Sequence, residues 1–289
     1  MKRKRLRLNS DHSGSSPEIG PDNKYLKEVA KLEKTIPNWE DMFCEEASNS
    51  RIDQLIRVEV IGQSLCDKYA WAIPDERSLR VLSQFSPLIE IGCGKGYWAY
   101  LLKLKGVDII AFDKKKIAKA KKSNWTDVQS GGPEVLLDSS VSEGRNLLLC
   151  YPDEASSLAI KCLENFTGDH IIHVGELAVC GGGSGTLSSP QAPWGRTTGA
   201  DFQVSLAEEF HCLLTISLPR YPFSRDCLSV WKRTQWVEGK PIEDSGVSDT
   251  EQGISVDGSE TTKDNMWANI PKDERMPVDC AAPCLQHLL

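Results

Sequence analysis

The chain has no apolar run approaching the ~20 residues that a membrane-spanning helix needs. No stretch joins a basic start to a long apolar segment in the manner of a secretory signal. Ten cysteines among 289 residues are scattered, which argues against a disulfide framework and for a reducing compartment, cytoplasmic or nuclear. Positive charge is not in surplus either. The formal net charge of −7 excludes a global attraction for nucleic acid and leaves only local basic patches to act that way. Metal ligands are poorly supplied: Cys280, Cys284 and His287 give Cys-x3-Cys plus one His, with no fourth ligand and no established zinc spacing, so no metal is expected. What is present is a chain long enough, at 40% hydrophobic residues, for one full α/β domain with appendages.

The organising stretch runs from Leu88 to Lys105. Leu88, Ile89 and Ile91 form the short apolar run of a strand covered on both faces, and Gly92, Gly94 and Gly96 follow at once. From there Trp98, Leu101, Leu102 and Lys105 recur at i, i+3, i+4 and i+7, so a helix begins as the turn ends. Glycines keep Cβ atoms away from a bound group, and the new helix offers its unpaired N–H groups to it. The alternative is an ordinary βα turn using glycine for geometry alone. A dinucleotide fingerprint would read G-x-G-x-x-G. Here Tyr97 stands at the third glycine's place, which argues against NAD or FAD.

The stretch Glu90-Ile-Gly-Cys-Gly-Lys-Gly96 resembles motif I of the Rossmann-like, class I S-adenosylmethionine-dependent methyltransferases. Together with Tyr69-Ala-Trp-Ala-Ile-Pro74, it is similar to a widespread methyltransferase-like group of unassigned substrate, over roughly Tyr69 to Arg233. The resemblance implies S-adenosylmethionine as cofactor, with Glu90 facing the amino group of its methionine part and Gly92, Cys93, Gly94 and Gly96 around it. Downstream, Gly106 to Asp113 is a second apolar strand ending in a carboxylate, near the ~20-residue offset at which an acid meets a ribose. Two carboxylate oxygens can accept from both ribose hydroxyls, so Asp113 is the ribose candidate. It would equally cap a helix starting near Lys114.

The remaining chain falls into place around this. Residues 1–22 read as a disordered basic leader, the cluster at its start serving as a nuclear address, a weak RNA contact or simply solvated charge. Residues 23–85 read as N-terminal helices and a cleft-covering loop, in which Tyr69 and Trp71 either form a lid or pack against the first helix. Residues 86–236 are the expected Rossmann-like domain. Its basic stretch Lys114–Lys122 reads as a solvated helix face or as an electropositive rim for an acidic or RNA substrate.

A third strand is expected over Trp125–Gln129. In the family the turn after it borders the adenine and often carries an acid, which Gly131 and Gly132 lack; Asp127 precedes it. A fourth strand is Asn146–Cys150, followed by Tyr151-Pro-Asp153. Ligands of open α/β sheets bind beyond the carboxyl ends of the strands, so the acceptor belongs here. Many amino-methylating relatives have Asp/Asn-Pro-Pro-Tyr at this point, and the departure weakens a claim of base or glutamine N-methylation. Tyr151, Asp153 and Glu176, the last at the end of a fifth strand from His170, are the catalytic candidates, with Asp153 also read as a cap for a helix from Ala155. The segment 181–200 is rich in glycine and serine and reads as a substrate loop or a disordered insertion.

Strands over Cys212–Leu218 and Leu228–Arg233 are joined by too few residues for a parallel crossover and must pair as an antiparallel hairpin. Class I methyltransferases end their seven-stranded sheet this way. The expected fold is therefore α/β: a seven-stranded, mostly parallel doubly wound sheet ending in an antiparallel hairpin. Residues 237–289 read as a disordered acidic tail. The expected function is methyl transfer from S-adenosylmethionine to an unidentified acceptor, the alternative a non-catalytic protein of the same fold acting as a binding or partner subunit. No membrane partner is expected.

Overall fold

A computed structural model of the chain describes residues 20, 22–36, 49–114, 124–153, 156–177, 197–222, 224–235, 270–275 and 281–288. The basic leader through residue 19, the basic stretch 115–123, most of the 181–200 segment and 236–269 lie outside the described residues.

Three helices come first: α1 (Lys24–Glu33), α2 (Asn49–Lys68) and α3 (Glu76–Ser83). Asn23 caps α1, its side chain accepting the Leu26 N–H at 3.1 Å. Asp75 and Ser78 close a capping box on α3, a device that satisfies two otherwise orphaned amides. The sheet follows: β1 (Leu88–Ile91), α4 (Tyr97–Leu104), β2 (Ile109–Asp113), β3 (Gln129–Ser130), a 3-10 turn (Pro133–Leu137), α5 (Ser139–Ser142), β4 (Asn146–Cys150), α6 (Leu158–Asn165), β5 (His170–Gly175), α7 (Ala200–Glu209), β6 (Phe210–Ser217) and β7 (Cys227–Arg233).

The seven strands lie in the order β3-β2-β1-β4-β5-β7-β6. β1 to β5 are parallel, and β7 runs antiparallel to both of its neighbours. The reversed terminal hairpin is as expected from the spacing, and the seven-stranded, doubly wound sheet is as expected from the resemblance. Leu88, Leu148 and Ile172 face the layer of α1 to α4, while Ile89, Leu147 and Ile171 face α6 and α7. Every residue of β1 is buried, which explains its unbroken apolar run apart from Glu90. Each fully buried aliphatic side chain contributes about 1.5–3 kcal/mol relative to exposure.

Two features differ from the sequence reading. β3 is only Gln129–Ser130, because Trp125 leaves the sheet to stack on Tyr69 at 5.1 Å and donates its indole N–H to Lys68 O at 2.9 Å. Within the region read as an acidic tail, two stretches pack on the sheet. Leu214 of β6 pairs with Ala281, and the Ala282 amide donates to Leu213 O at 2.7 Å, so the open edge of β6 is covered. Glu274 meets His211 Nε2 at 3.1 Å and also Lys232. Small apolar residues and one ion cluster, invisible in an acidic average composition, hold these stretches.

Candidate active site at the carboxyl edge of the sheet

β1 runs into the glycine turn, which β2 holds in place. The amides of Gly92 and Cys93 both donate to Phe112 O, at 2.8 and 3.1 Å, and the Gly94 amide donates to Asp113 Oδ2 at 2.8 Å. Gly94 and Gly96 sit at φ +57 and +72, a region that costs other residues about 1–2 kcal/mol. Their surroundings differ. A Cβ on Gly96 would lie 2.9 Å from Thr126 and Val128, so glycine is needed there for packing. A Cβ on Gly94 would meet nothing within 4 Å, so the space above it is open.

Tyr97 and Trp98 turn away from that space. The Tyr97 hydroxyl accepts the Tyr25 amide at 3.1 Å and donates to Asn23 Oδ1 at 3.2 Å, while the Trp98 indole donates to Ala72 O at 3.2 Å. The ring in place of a third glycine is thus a brace for α1. Lys95, between two glycines, also leaves the turn and donates to Asp67 O at the end of α2. Cys93 has its amide committed to Phe112 and its thiol pushed up by burial, then by the charges of Glu90 and Asp113.

Glu90 is the anomaly beneath the turn. Its side chain is 1% exposed, and its Oε2 has no hydrogen-bond partner. Burial, then the charge of Asp113, pushes its carboxyl up to about 8, against a smaller opposing pull from the Ala99 amide. An unsatisfied buried polar atom costs about 1–3 kcal/mol, more for a charge, and asks for a partner. Asp113 stands at the neighbouring strand end, half-buried, joined to the turn by its bond to Gly94. The bond to a turn amide is additional to both roles read from the sequence. Residues of the helix expected near Lys114 lie outside the described set from 115 on.

On the adenine side expected from the resemblance, Asp127 is exposed. The acid at this turn is Glu134, which accepts the Gly132 amide at 2.9 Å; backbone amide bonds hold its carboxyl below the usual range. It lies just past the two glycines where an acid was sought, hidden from sequence by Pro133.

The end of the sheet where the acceptor is expected is built from β4 and β5. Tyr151 follows β4 at φ +52, a left-handed position unusual for a bulky residue, and its amide donates to Val174 O at 2.8 Å. Its ring stacks on Trp71, with centroids 5.7 Å apart and planes at 19°. Of the two lid candidates, Tyr69 is buried among Tyr25, Tyr97 and Trp125, whereas Trp71 is 50% exposed. Asp153 does not cap α6 as expected: the helix begins at Leu158, whose amide is taken by Ser156 Oγ at 3.2 Å, and the Asp153 carbonyl accepts the Ser156 amide. Glu176 Oε1 accepts the Arg225 amide at 2.8 Å, which ties β5 to the hairpin loop.

Behind Glu176 lies a buried chain that sequence reading missed. Thr197 donates its hydroxyl to Glu176 O at 2.6 Å, so His173 Nε2, 3.2 Å away, must be the donor to Thr197. His173 Nδ1 is then a buried acceptor without a partner, and burial holds this ring neutral, with its pKa lowered to about 3.

No protein-family model matches the chain, and no curated protein matches it in sequence. The fold is α/β, a seven-stranded and mostly parallel sheet that ends in an antiparallel hairpin. Among solved structures the chain is similar to the N-methyltransferase NodS from Bradyrhizobium japonicum WM9, at 15% identity over 55% of this chain and 92% of that one, TM-score 0.37. It is similar to magnesium protoporphyrin IX methyltransferase from Synechocystis PCC 6803, at 14% identity over 73% of this chain and 100% of that one, TM-score 0.34. A third is human N-acetylserotonin methyltransferase, at 16% identity over 73% of this chain and 62% of that one, TM-score 0.35.

Among the described residues, no helix is long and apolar enough to cross a membrane.

Proposed function

We propose that the protein is an S-adenosylmethionine-dependent methyltransferase. The observation that carries this reading is Glu90, whose buried, unpartnered oxygen lies under a glycine turn with open space at Gly94. The residues fit the cofactor. A cationic amino group would satisfy Glu90, hydroxyls of a ribose would take Asp113, and the absent side chain at Gly94 leaves room between them. When bound, S-adenosylmethionine supplies a methyl group already activated by the sulfonium, so alignment of donor and acceptor is the main catalytic requirement. The protein's own residues then orient and enclose. Tyr151 and Trp71 flank the acceptor side, and Glu176 and Asp113 hold the loop ends that frame it.

The second reading, a non-catalytic subunit of the same fold, draws support from Cys150-Tyr-Pro-Asp153, which carries no amide or acid ahead of its single proline, and from the engagement of Glu176 by Arg225. Localisation in a reducing compartment, nuclear or cytoplasmic, and an RNA contact through the basic leader belong to the proposal as well.

Calorimetry with S-adenosylmethionine and S-adenosylhomocysteine is the first test, followed by transfer of a tritiated methyl group into fractionated cell RNA, protein and small molecules. Binding of both cofactors and label in one fraction is expected. Binding without label in any fraction would favour a cofactor-binding subunit without activity, and absence of binding would end the methyltransferase reading and leave a scaffold of this fold.

A further inference from the structure

Trp71 combines exposure of its side chain with fixation of its backbone. The chain around it is held at four points: Lys95 donates to Asp67 O, Trp125 to Lys68 O at 2.9 Å, Cys66 Sγ to Trp71 O at 3.8 Å, and Trp98 to Ala72 O at 3.2 Å. Two of these donors come from the glycine turn and the helix that follows it, so the loop is fastened to the cofactor side of the site. The indole nonetheless remains 50% exposed, the one aromatic ring so exposed among the described residues. Its stacked partner, Tyr151, stands where β4 ends, one strand from the glycine turn, in a backbone conformation that a bulky residue adopts only when its surroundings impose it. A large ring left in water but locked in place is poor for stability and good for binding, because the ordering cost has been met on folding.

We propose that the Trp71–Tyr151 pair is the acceptor platform of this site, selecting a small acceptor that presents a planar aromatic or heteroaromatic ring. This rests on the methyltransferase reading above and names its substrate class. A second ring laid on an aromatic face gains offset-stacking energy that a saturated ring of equal size does not. The acceptor is a free small molecule rather than a base in a polynucleotide: at a net charge of −7 the chain as a whole does not attract a phosphate backbone, and its basic leader supplies only a local contact, which the oligoadenylate arm of the test reads.

The test uses the full chain labelled with 15N-tryptophan and saturated with S-adenosylhomocysteine. The Trp71 indole signal is assigned by Trp71→Phe and titrated with 2-naphthol, decahydro-2-naphthol, adenosine and a short oligoadenylate. Expected is a saturable shift with 2-naphthol at an affinity at least about tenfold above that of its saturated counterpart, the size carried by one stacked ring. By calorimetry, Trp71→Ala should lose that factor for 2-naphthol, Trp71→Phe should keep most of it, and S-adenosylhomocysteine affinity should be the same in all three proteins. Equal binding of the saturated alcohol, or no shift with 2-naphthol, overturns the platform. Much tighter binding of oligoadenylate than of adenosine overturns the small-molecule assignment. Failure of S-adenosylhomocysteine to bind, read separately by calorimetry, strikes the methyltransferase reading instead.

Discussion

Replacing Glu90 by Gln separates what this site costs the fold from what it does. The carboxyl is 1% exposed and is pushed from 4.5 up to about 8, first by burial and then by the charge of Asp113. Because its folded value lies above its unfolded one, the folded protein holds a proton that the unfolded chain has released between pH 4.5 and about 8, and stability falls as pH rises through that window. The difference of about 3.5 pH units, at about 1.36 kcal/mol each, sets a ceiling near 5 kcal/mol. Local relaxation and water entry bring the expected loss to about 2–4 kcal/mol. Gln has no charge to bury and removes the slope, while its own unpartnered amide costs about 1–2 kcal/mol at every pH. Urea unfolding at pH 5 and pH 8.5 should therefore show the variant gaining about 2–4 kcal/mol on the parent protein between the two conditions.

Cofactor affinity should move the opposite way in the same variant, down by about 1.5–3 kcal/mol for a lost charge-assisted bond. In the parent protein, binding a cationic amino group at pH 7 should release close to one proton, seen as a binding enthalpy that changes with the ionisation heat of the buffer. A stability difference between parent and Glu90→Gln that stays constant from pH 5 to 8.5 would refute the buried, protonated carboxyl and the linkage built on it.

Asp113→Ala should weaken S-adenosylmethionine by about 1.5–3 kcal/mol in calorimetry, and unchanged affinity would remove the ribose assignment. Gly94→Ala should cost only about 1–2 kcal/mol of stability, since its Cβ meets nothing, yet sharply reduce cofactor binding; Gly96→Ala adds a clash with Thr126 and Val128 and should lower the melting temperature more. Tyr97→Phe breaks two buried hydrogen bonds and should destabilise by about 1–3 kcal/mol in urea while leaving cofactor affinity in place. His173, with a folded pKa near 3 below its ordinary 6.5, loses stability as pH falls from 6.5 toward 3, so His173→Leu should move the acid-unfolding midpoint to lower pH.

The parts of this fold that were legible from sequence are those whose pattern has one physical solution. An apolar run entering three glycines and leaving as a helix admits little besides β1, the turn and α4, and nine residues between β6 and β7 permit only a hairpin. What was not legible depends on partners far along the chain. Tyr69 and Trp71 are two residues apart with similar character, and only the positions of Tyr25, Tyr97 and Trp125 decide which one is buried. Lys95 looks solvent-bound between glycines until the end of α2 is placed opposite it. Asp153 has the composition of a helix cap, but the chain spends another turn on Ser156 before α6 begins. Ala281 and Ala282 carry no local signal at all, because their burial is created by the open edge of β6.

Departures from good packing are informative when they converge. Glu90 is a buried acid with one unpartnered oxygen, Tyr151 holds a left-handed backbone, and Trp71 is a half-exposed indole on a fastened loop. Each would be corrected by a sequence optimised for stability alone, and all three gather where β1 and β4 end side by side. His173 is a useful contrast: it is equally buried with an unpartnered nitrogen, but it lies on β5 facing α7, on the opposite face of the sheet from Glu90. The two acidic and basic anomalies therefore make opposite demands on one pair of measurements. Relieving Glu90 should raise stability at alkaline pH and lower cofactor affinity, whereas relieving His173 should raise stability at acid pH and leave affinity untouched. A protein in which both substitutions leave binding unchanged has its strain distributed for reasons other than a ligand at the glycine turn.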